Sequence, residues 1–536
     1  MGNGVTLKIV DPELEAAARP LADQLVADQI ASKLTAQDAT LWGPEAEPEA
    51  STRLSWTTLH QTSRPLIGEI TTLRAELRSE GIDRVVLAGM GGSSLAPEVI
   101  CGTEGVALTV LDTTDPGQVA DALAGDLART VLVVSSKSGG TVETDSQRRI
   151  FAKAFAEEGI DAARRMVVVT DPGSPLAELA EHEAYRRVFL ADPQVGGRYS
   201  ALTAFGLVPA GLAGADIARL LDQAAGAATA LAADSADNPA VQLAAALGAA
   251  HASGGEKVVL TDAGSGIAGL GEWIEQLVAE STGKEQTGLL PVVVESPTAP
   301  GFGDAGPDAT AVSIGGMTDG ADITTGGPLG AQFLLWEHAT AIAGRLLEIN
   351  PFDQPDVEAA KTAARSLLEE AQEEDKPGVP SVVHGPVEVF ASAGVSGEGT
   401  LTDTLREFVG TAPEAGYLAV QAYLDRLDDA SAALLRAELA KRVGIQVTFG
   451  WGPRFLHSTG QYHKGGHPNG IFLQVTGAVE DDLGVPDRPY TLGTLQLAQA
   501  LGDASVLTDR GRPVLRLHLT DRAAGLAELI RAIQDW

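Results

Sequence analysis

Arg84-Val-Val-Leu-Ala-Gly89-Met-Gly-Gly-Ser-Ser94 is the stretch from which the fold is read. Its apolar run does not alternate with polar residues, so it predicts a strand buried on both faces, as in a parallel sheet covered by helices. A glycine turn follows, and then a helix-like segment through Ile100. Working outward, Ala107–Leu111, Thr130–Ser135 and Met166–Thr170 repeat the pattern of apolar run, turn and helix. Strands that alternate with helices imply right-handed βαβ crossovers. This first α/β unit runs from about 51 to 214.

Upstream, a short strand precedes Asp11-Pro12, which reads as an N-cap with proline at the first helical position, opening a helix to about Ser32. Downstream, an alanine-rich segment from Asp216 to Ala252 predicts two helices split near Asp237-Asn238-Pro239. A second α/β series begins at Lys257–Thr261 and Leu290–Glu295. A long helix near Pro328–Leu347 and a Glu-rich helix from Pro355 to Glu374 come next. Lys376-Pro-Gly-Val-Pro380 and the Gly/Ser-rich Ser392–Thr400 are breakers. Tyr417–Val420, Ile445–Phe449, Ile471–Val475 and Leu515–Leu519 complete the strands. The fold class is α/β. The chain divides into an N-terminal strand and helical segment (1–50), a first domain (51–235) and a second, larger one (236–536).

Composition narrows the function. The 536 residues carry 38 Lys+Arg against 72 Asp+Glu, a formal net charge of −34. No basic stripe is visible, which argues against nucleic acid as a partner. A small anionic substrate stays open, because a local basic pocket can outweigh a distant acidic surface that salt screens. The single cysteine, Cys101, rules out an internal disulfide framework and a cysteine zinc cluster, and it fits a reducing cytoplasm. The opening MGNGVTLKIVDPEL lacks the pattern of a secretory leader. No stretch approaches the ~18–20 apolar residues of a membrane helix.

Two turns carry chemistry. In Gly89–Ser94, a strand delivers the chain to a helix start, where free backbone amides and the positive helix end meet. Gly91, Gly92 and Ser93 are the candidate contacts to a phosphate or sugar oxygen. The same pattern approximates G-x-G-x-x-G with Asp112 on the next strand, which keeps a dinucleotide reading open although Ser94 replaces the third glycine. A tight structural turn is the plain alternative. The second turn is Ser135-Ser136-Lys137-Ser138-Gly139-Gly140-Thr141. Ser136, Ser138 and Thr141 can donate to phosphate oxygens, with Lys137 beside them. A simple N-cap cluster would leave Lys137 without a role. No Walker pattern occurs.

These two segments, followed by Gly196-Gly-Arg198-Tyr-Ser200 and by Gln276-Leu-Val-Ala-Glu280-Ser-Thr-Gly-Lys284, resemble the phosphoglucose isomerase family of the sugar isomerase (SIS) fold. The alanine-rich chain and a late His-Lys-Gly-Gly segment look closest to the isomerase half of bacterial transaldolase–isomerase fusions. The resemblance implies two SIS-type domains, each a mostly parallel sheet flanked by helices. It also implies interconversion of glucose 6-phosphate and fructose 6-phosphate without metal or other cofactor. No feature of the sequence fixes the oligomer; family sites borrow residues across a dimer interface, which implies a homodimer.

Moving a carbonyl between C1 and C2 requires a base whose pKa burial has raised toward neutrality. Glu280 matches that residue and ends an apolar turn. Arg198 matches the family's clamp for the enediolate charge. Gln276, one helical turn before Glu280, can bond substrate hydroxyls. Lys284 reads as a cap on the helix C-terminus. A solvated Glu280 and a surface Arg198 are the plain readings. Isomerisation of another phosphosugar, a non-catalytic sugar-phosphate sensor and a nicotinamide dehydrogenase are the rival functions.

The family's ring-opening histidine falls on Gln332 here, which cannot shuttle protons. His338 lies six residues on, about 120° around the helix. The family's late catalytic lysine is also missing. Arg454–His467 holds three of the nine histidines in a glycine-rich segment. It reads as a mobile loop in which His463 or Lys464 opens the ring; a metal site and a structural loop are the alternatives.

Overall fold

Uninterrupted apolar runs form the interior strands of three sheets in the computed structural model, which describes residues 4–370, 378–391, 395 and 399–536. The first sheet is parallel throughout. Its spatial order is Thr109–Leu111, Arg84–Gly89, Thr130–Ser135, Met166–Thr170, Arg187–Leu190. The winding reverses between Arg84–Gly89 and Thr130–Ser135. In open α/β sheets the crevice beyond the carboxyl ends at such a switch point is where ligands bind. The two segments leaving these strands are the glycine turn and the hydroxyl loop.

The second sheet orders Ile323–Gly326, Ala309–Ile314, Lys257–Asp262 and Leu290–Val293 in parallel, and Thr6–Ile9 adds antiparallel to its edge. The third carries an antiparallel pair, Val382–His384 and Val387–Ala391, beside four parallel strands: Val514–Leu519, Gly470–Gly477, Tyr417–Tyr423 and Gln446–Trp451.

The sequence reading places one sheet after residue 236, and the structure has two. Ala309–Ile314 (ATAVSI) and Ile323–Gly326 (ITTG) complete the second sheet. Their hydroxyl residues hide them from a search for apolar runs. The four later strands therefore have a sheet of their own. The first and second sheets share one apolar core, and the third has a separate core. A smaller cluster with Val259, Leu290, Tyr417 and Phe472 joins the second sheet to the third.

Local signals place several boundaries. The Asp11 carboxylate accepts from the Glu13 amide at 2.8 Å and caps the helix Pro12–Ala27. That helix stops short of Ser32 because Gln29 takes a left-handed φ of 60° and starts a new helix, Ile30–Thr35. Asn238 caps Pro239–Ala252 in the same way as Asp11. The Glu-rich helix is Val357–Glu370. Its expected extension to Glu374, Lys376 and Pro377 of the breaker, and most of Ser392–Thr400 lie outside the described residues. Among the described residues no helix is long and apolar enough to cross a membrane.

Candidate active site

The glycine turn and the Gly196–Ser200 segment interlock. A Cβ on Gly92 would overlap the Gly197 carbonyl, so only glycine lets the two turns meet. Gly91, at φ +55°, has the same constraint: a Cβ there would sit 2.7 Å from Gln276 Nε2 and 2.9 Å from the His457 carbonyl oxygen. Ser93 is buried in the same turn, and the Ser94 hydroxyl donates back to the Gly91 carbonyl at 3.1 Å. Four segments distant in sequence thus converge at the switch point. Asp112, the acidic partner that a dinucleotide reading needs, is committed to Arg454 at 2.9 Å.

Glu280 and Gln276 sit one turn apart on the helix Leu270–Thr282, and both are buried. Arg198 Nη1 lies 3.5 Å from Glu280 Oε2. The guanidinium is fixed by donating to Ser281 Oγ at 2.8 Å, Gln354 Oε1 at 2.5 Å, and the carbonyls of Pro351 at 2.8 Å and Asp353 at 3.0 Å. Burial pushes the Glu280 carboxyl above its ordinary value; Arg198, His457 and a hydrogen bond from Gln276 pull the other way without cancelling it. A desolvated carboxylate beside one fixed positive charge is suited to taking a proton from carbon and stabilising the resulting anion.

Lys284 does not cap its own helix. Its ammonium donates to the carbonyls of Asn350 at 2.6 Å and Asp353 at 2.7 Å and to the Asp353 carboxylate. Burial draws its pKa down to about 8. Lys284 and Arg198 thus brace the same 350–354 segment.

The hydroxyl loop opens the helix Val142–Glu157. Thr141 occupies the N-cap position, but its hydroxyl pairs with Ser136 Oγ at 2.9 Å instead of capping. The amides of Gly139 and Gly140 approach Ser136 Oγ at 3.1 Å and Ser138 Oγ at 3.2 Å. Hydroxyls and amides are therefore gathered at one helix start, the geometry that suits a phosphate. Lys137 turns away to Asp171, 2.5 Å from its carboxylate. Ser136, Gly139, Gly140 and Thr141 line a cavity of about 890 Å³. Arg148, Arg149 and Arg488, gathered around the one Asp145 carboxylate, line it too. Glu280 and Arg198 are not on its wall.

The segment read as a mobile loop is a buried short helix, Gly460–Gly465. The chain folds it inward because Tyr462 packs against Gly283 at the end of the Glu280 helix. The Lys464 ammonium pairs with Asp503 at 2.5 Å, and both side chains are buried. The His463 ring packs among Tyr417, Phe455 and Phe472, and burial drives its pKa well below the ordinary histidine value. Gln332 and His338 lie inside the fully packed helix Leu329–Leu346, where the His338 ring faces the Leu334 carbonyl at 2.8 Å. Among the described residues no cluster of His, Cys, Asp and Glu could hold a metal ion.

A different histidine of the cluster reaches the site. His457 Nε2 stands 3.0 Å from Glu143 Oε1, and the His457 carbonyl accepts from Gln276 Nε2 at 2.8 Å. Glu143 follows the hydroxyl loop by two residues, and its contact with His457 spans 314 positions. No local spacing distinguishes His457 from His463 or His467; only the path of the third sheet does.

Residues 66–313 match the family model described as phosphoglucose isomerase. Over 353 residues the chain is 31% identical to the glucose-6-phosphate isomerase of Thermosynechococcus vestitus, covering 53% of this chain and 65% of that protein. It is 36% identical over 215 residues to a probable glucose-6-phosphate isomerase of Haloarcula marismortui, covering 39% and 49%. The chain thus spans from about half to just under two thirds of the length of these relatives. The crystal structure of a hypothetical protein from Thermus thermophilus shares its fold at a TM-score of 0.57, with 24% identity over 68% of this chain and 99% of that one. That of a glucose-6-phosphate isomerase from Chlamydia trachomatis does so at 0.55, with 18% identity over 70% and 90%. The region matched by the phosphoglucose isomerase model carries the glycine turn, the hydroxyl loop, Arg198 and Glu280, the same segments that converge at the switch point.

Proposed function

We propose that this protein is an aldose–ketose isomerase that interconverts glucose 6-phosphate and fructose 6-phosphate. The buried pair of Glu280 and Arg198 carries this reading. Ser136, Ser138, Thr141 and the amides of Gly139 and Gly140 hold the phosphate. The Gly91–Ser93 turn and Gln276 hold the sugar hydroxyls. In the open-chain aldose, Glu280 removes the C2 proton and the electron pair moves onto the C1 carbonyl oxygen. Arg198 stabilises the enediolate. The hydroxyl proton passes from O2 to O1, Glu280 returns its proton to C1, and the ketose results. The chemistry uses no metal or organic cofactor. The same reading places the enzyme in the cytoplasm and pairs two copies of the chain, as the family resemblance implies.

A coupled assay of the purified protein with fructose 6-phosphate, with and without a chelator, tests this. Glucose 6-phosphate should form at the same rate in both. No product from this sugar, with turnover of another phosphosugar, would move the assignment to that substrate.

A further inference from the structure

The substrate sugars are mostly closed rings, so the reaction needs a group that moves protons between the ring oxygen and O1. The two residues that the sequence offers for it are occupied otherwise, Lys464 by Asp503 and His463 by an aromatic cage, and the neighbouring His467 is taken by Glu256 at 2.5 Å. Gln332 and His338 are core residues.

We propose that His457, held by Glu143, is the proton carrier of ring opening, and that it serves Glu280 of its own chain. This rests on the isomerase reading above.

The geometry of His457 is unlike that of the other histidines. The strand Gln446–Trp451 of the third sheet ends in a short 3-10 turn, Arg454–His457, that reaches across to the switch point of the first sheet. There the His457 backbone abuts Gly91 and accepts from Gln276, the residue one turn before Glu280. Its ring nitrogen Nε2 meets Glu143. Glu143 is itself fixed by Gln499 Nε2 at 2.7 Å, and Gln499 accepts from Thr114 Oγ1 at 2.8 Å. A carboxylate on one ring nitrogen fixes the tautomer and aims the other. Among the described residues Nδ1 has no hydrogen-bond partner, and the side chain keeps 15% of its surface accessible. His457 is also close enough to influence the Glu280 carboxyl, so both act on one small volume. The third sheet thereby gains a function: it delivers a proton carrier within the chain that holds the base.

The test separates ring opening from enolisation. One substrate is fructose 6-phosphate. The other is an aldotetrose 4-phosphate, which stays acyclic because its O4 is esterified, and whose C2–H exchange with solvent needs only Glu280 and Arg198. His457→Asn should slow fructose 6-phosphate turnover by about 10²-fold or more, while exchange of the acyclic sugar stays near wild type. Glu143→Gln, where Glu143 is a positioning residue, should show the same split at smaller amplitude. Equal losses on both substrates for both variants, or no loss on either, would overturn the role. Glu280→Gln should abolish both reactions; persistence of both there would overturn the isomerase reading instead.

The own-chain part has a separate readout. Chains carrying His457→Asn and chains carrying Glu280→Gln, co-expressed under different tags and purified as a mixed assembly, should remain inactive. Recovery to about half of wild-type turnover, as expected when one of the two sites of a mixed two-fold dimer regains both groups, would overturn it.

Discussion

Arg198 Nη1 lies 3.5 Å from Glu280 Oε2 and donates to Gln354, while the rest of its guanidinium is spent on Ser281 and two backbone carbonyls. The arginine therefore cannot swing toward the carboxylate to form a tight bidentate pair. A tight pair would have held Glu280 in the ordinary carboxylate range or below it. Held at this distance, Arg198 moderates the effect of burial without reversing it.

This sets the acid side of the pH profile. Glu280 accepts a proton only when ionised, so activity is lost as pH falls through its raised pKa. The acidic limb of kcat/KM should lie above the usual carboxylate value. Arg198→Ala removes a lowering influence and should move that limb to higher pH, besides lowering the rate. A limb that stays in place or moves down would contradict the assignment of Glu280 as the base.

Glu280→Gln preserves shape and the contact with Gln276 but accepts no proton. Its kcat should fall by about 10²–10⁴, with the phosphosugar still binding in a direct titration. Deuterium placed at C2 of glucose 6-phosphate should wash partly into solvent with the wild type and stay put with the variant.

Phosphate recognition is assigned to the hydroxyl loop. Ser138→Ala with Thr141→Ala removes two donors, each worth roughly 1–1.5 kcal/mol with a charged acceptor. KM should rise at least tenfold with kcat less affected. An unchanged KM would place the phosphate elsewhere in the 890 Å³ cavity, beside its arginines.

Gly92 has no room for a methyl group against Gly197. Gly92→Ala should cost about 1–3 kcal/mol, the usual range for overpacking, visible as a lower denaturant midpoint. Because the neighbour it displaces is the residue before Arg198, turnover should drop even at temperatures where the variant is folded.

The Lys464–Asp503 pair is buried on both sides. Lys464→Met leaves an unpaired buried carboxylate and should destabilise by about 3–5 kcal/mol. Lys464→Met with Asp503→Leu should regain most of that, and kcat per folded molecule should follow the recovery. A double variant that is stable yet lacks turnover would return Lys464 to the chemistry.

The parallel sheets were legible wherever strands are unbroken apolar runs: Thr130–Ser135 and Met166–Thr170 match their expected bounds. Asp11 and Asn238 caps were equally plain, because a cap is made by residues two or three positions apart. Glu280, Gln276 and Arg198 could be named because each sits in a short segment of fixed pattern, and the helix itself puts two of them on one face. What the sequence could not decide is the destination of long-range contacts. Ala309–Ile314 and Ile323–Gly326 are interrupted by serine and threonine and do not read as apolar runs, so the division of the later strands between two sheets is not legible. Lys464 and His463 carry the right chemistry, yet packing turns both into the core; His457, six residues earlier, is turned by the same chain toward Glu143. Chemistry belongs to the residue type, and sequence shows it. Whether a side chain faces substrate or core depends on which elements meet, and here that meeting joins positions 314 residues apart.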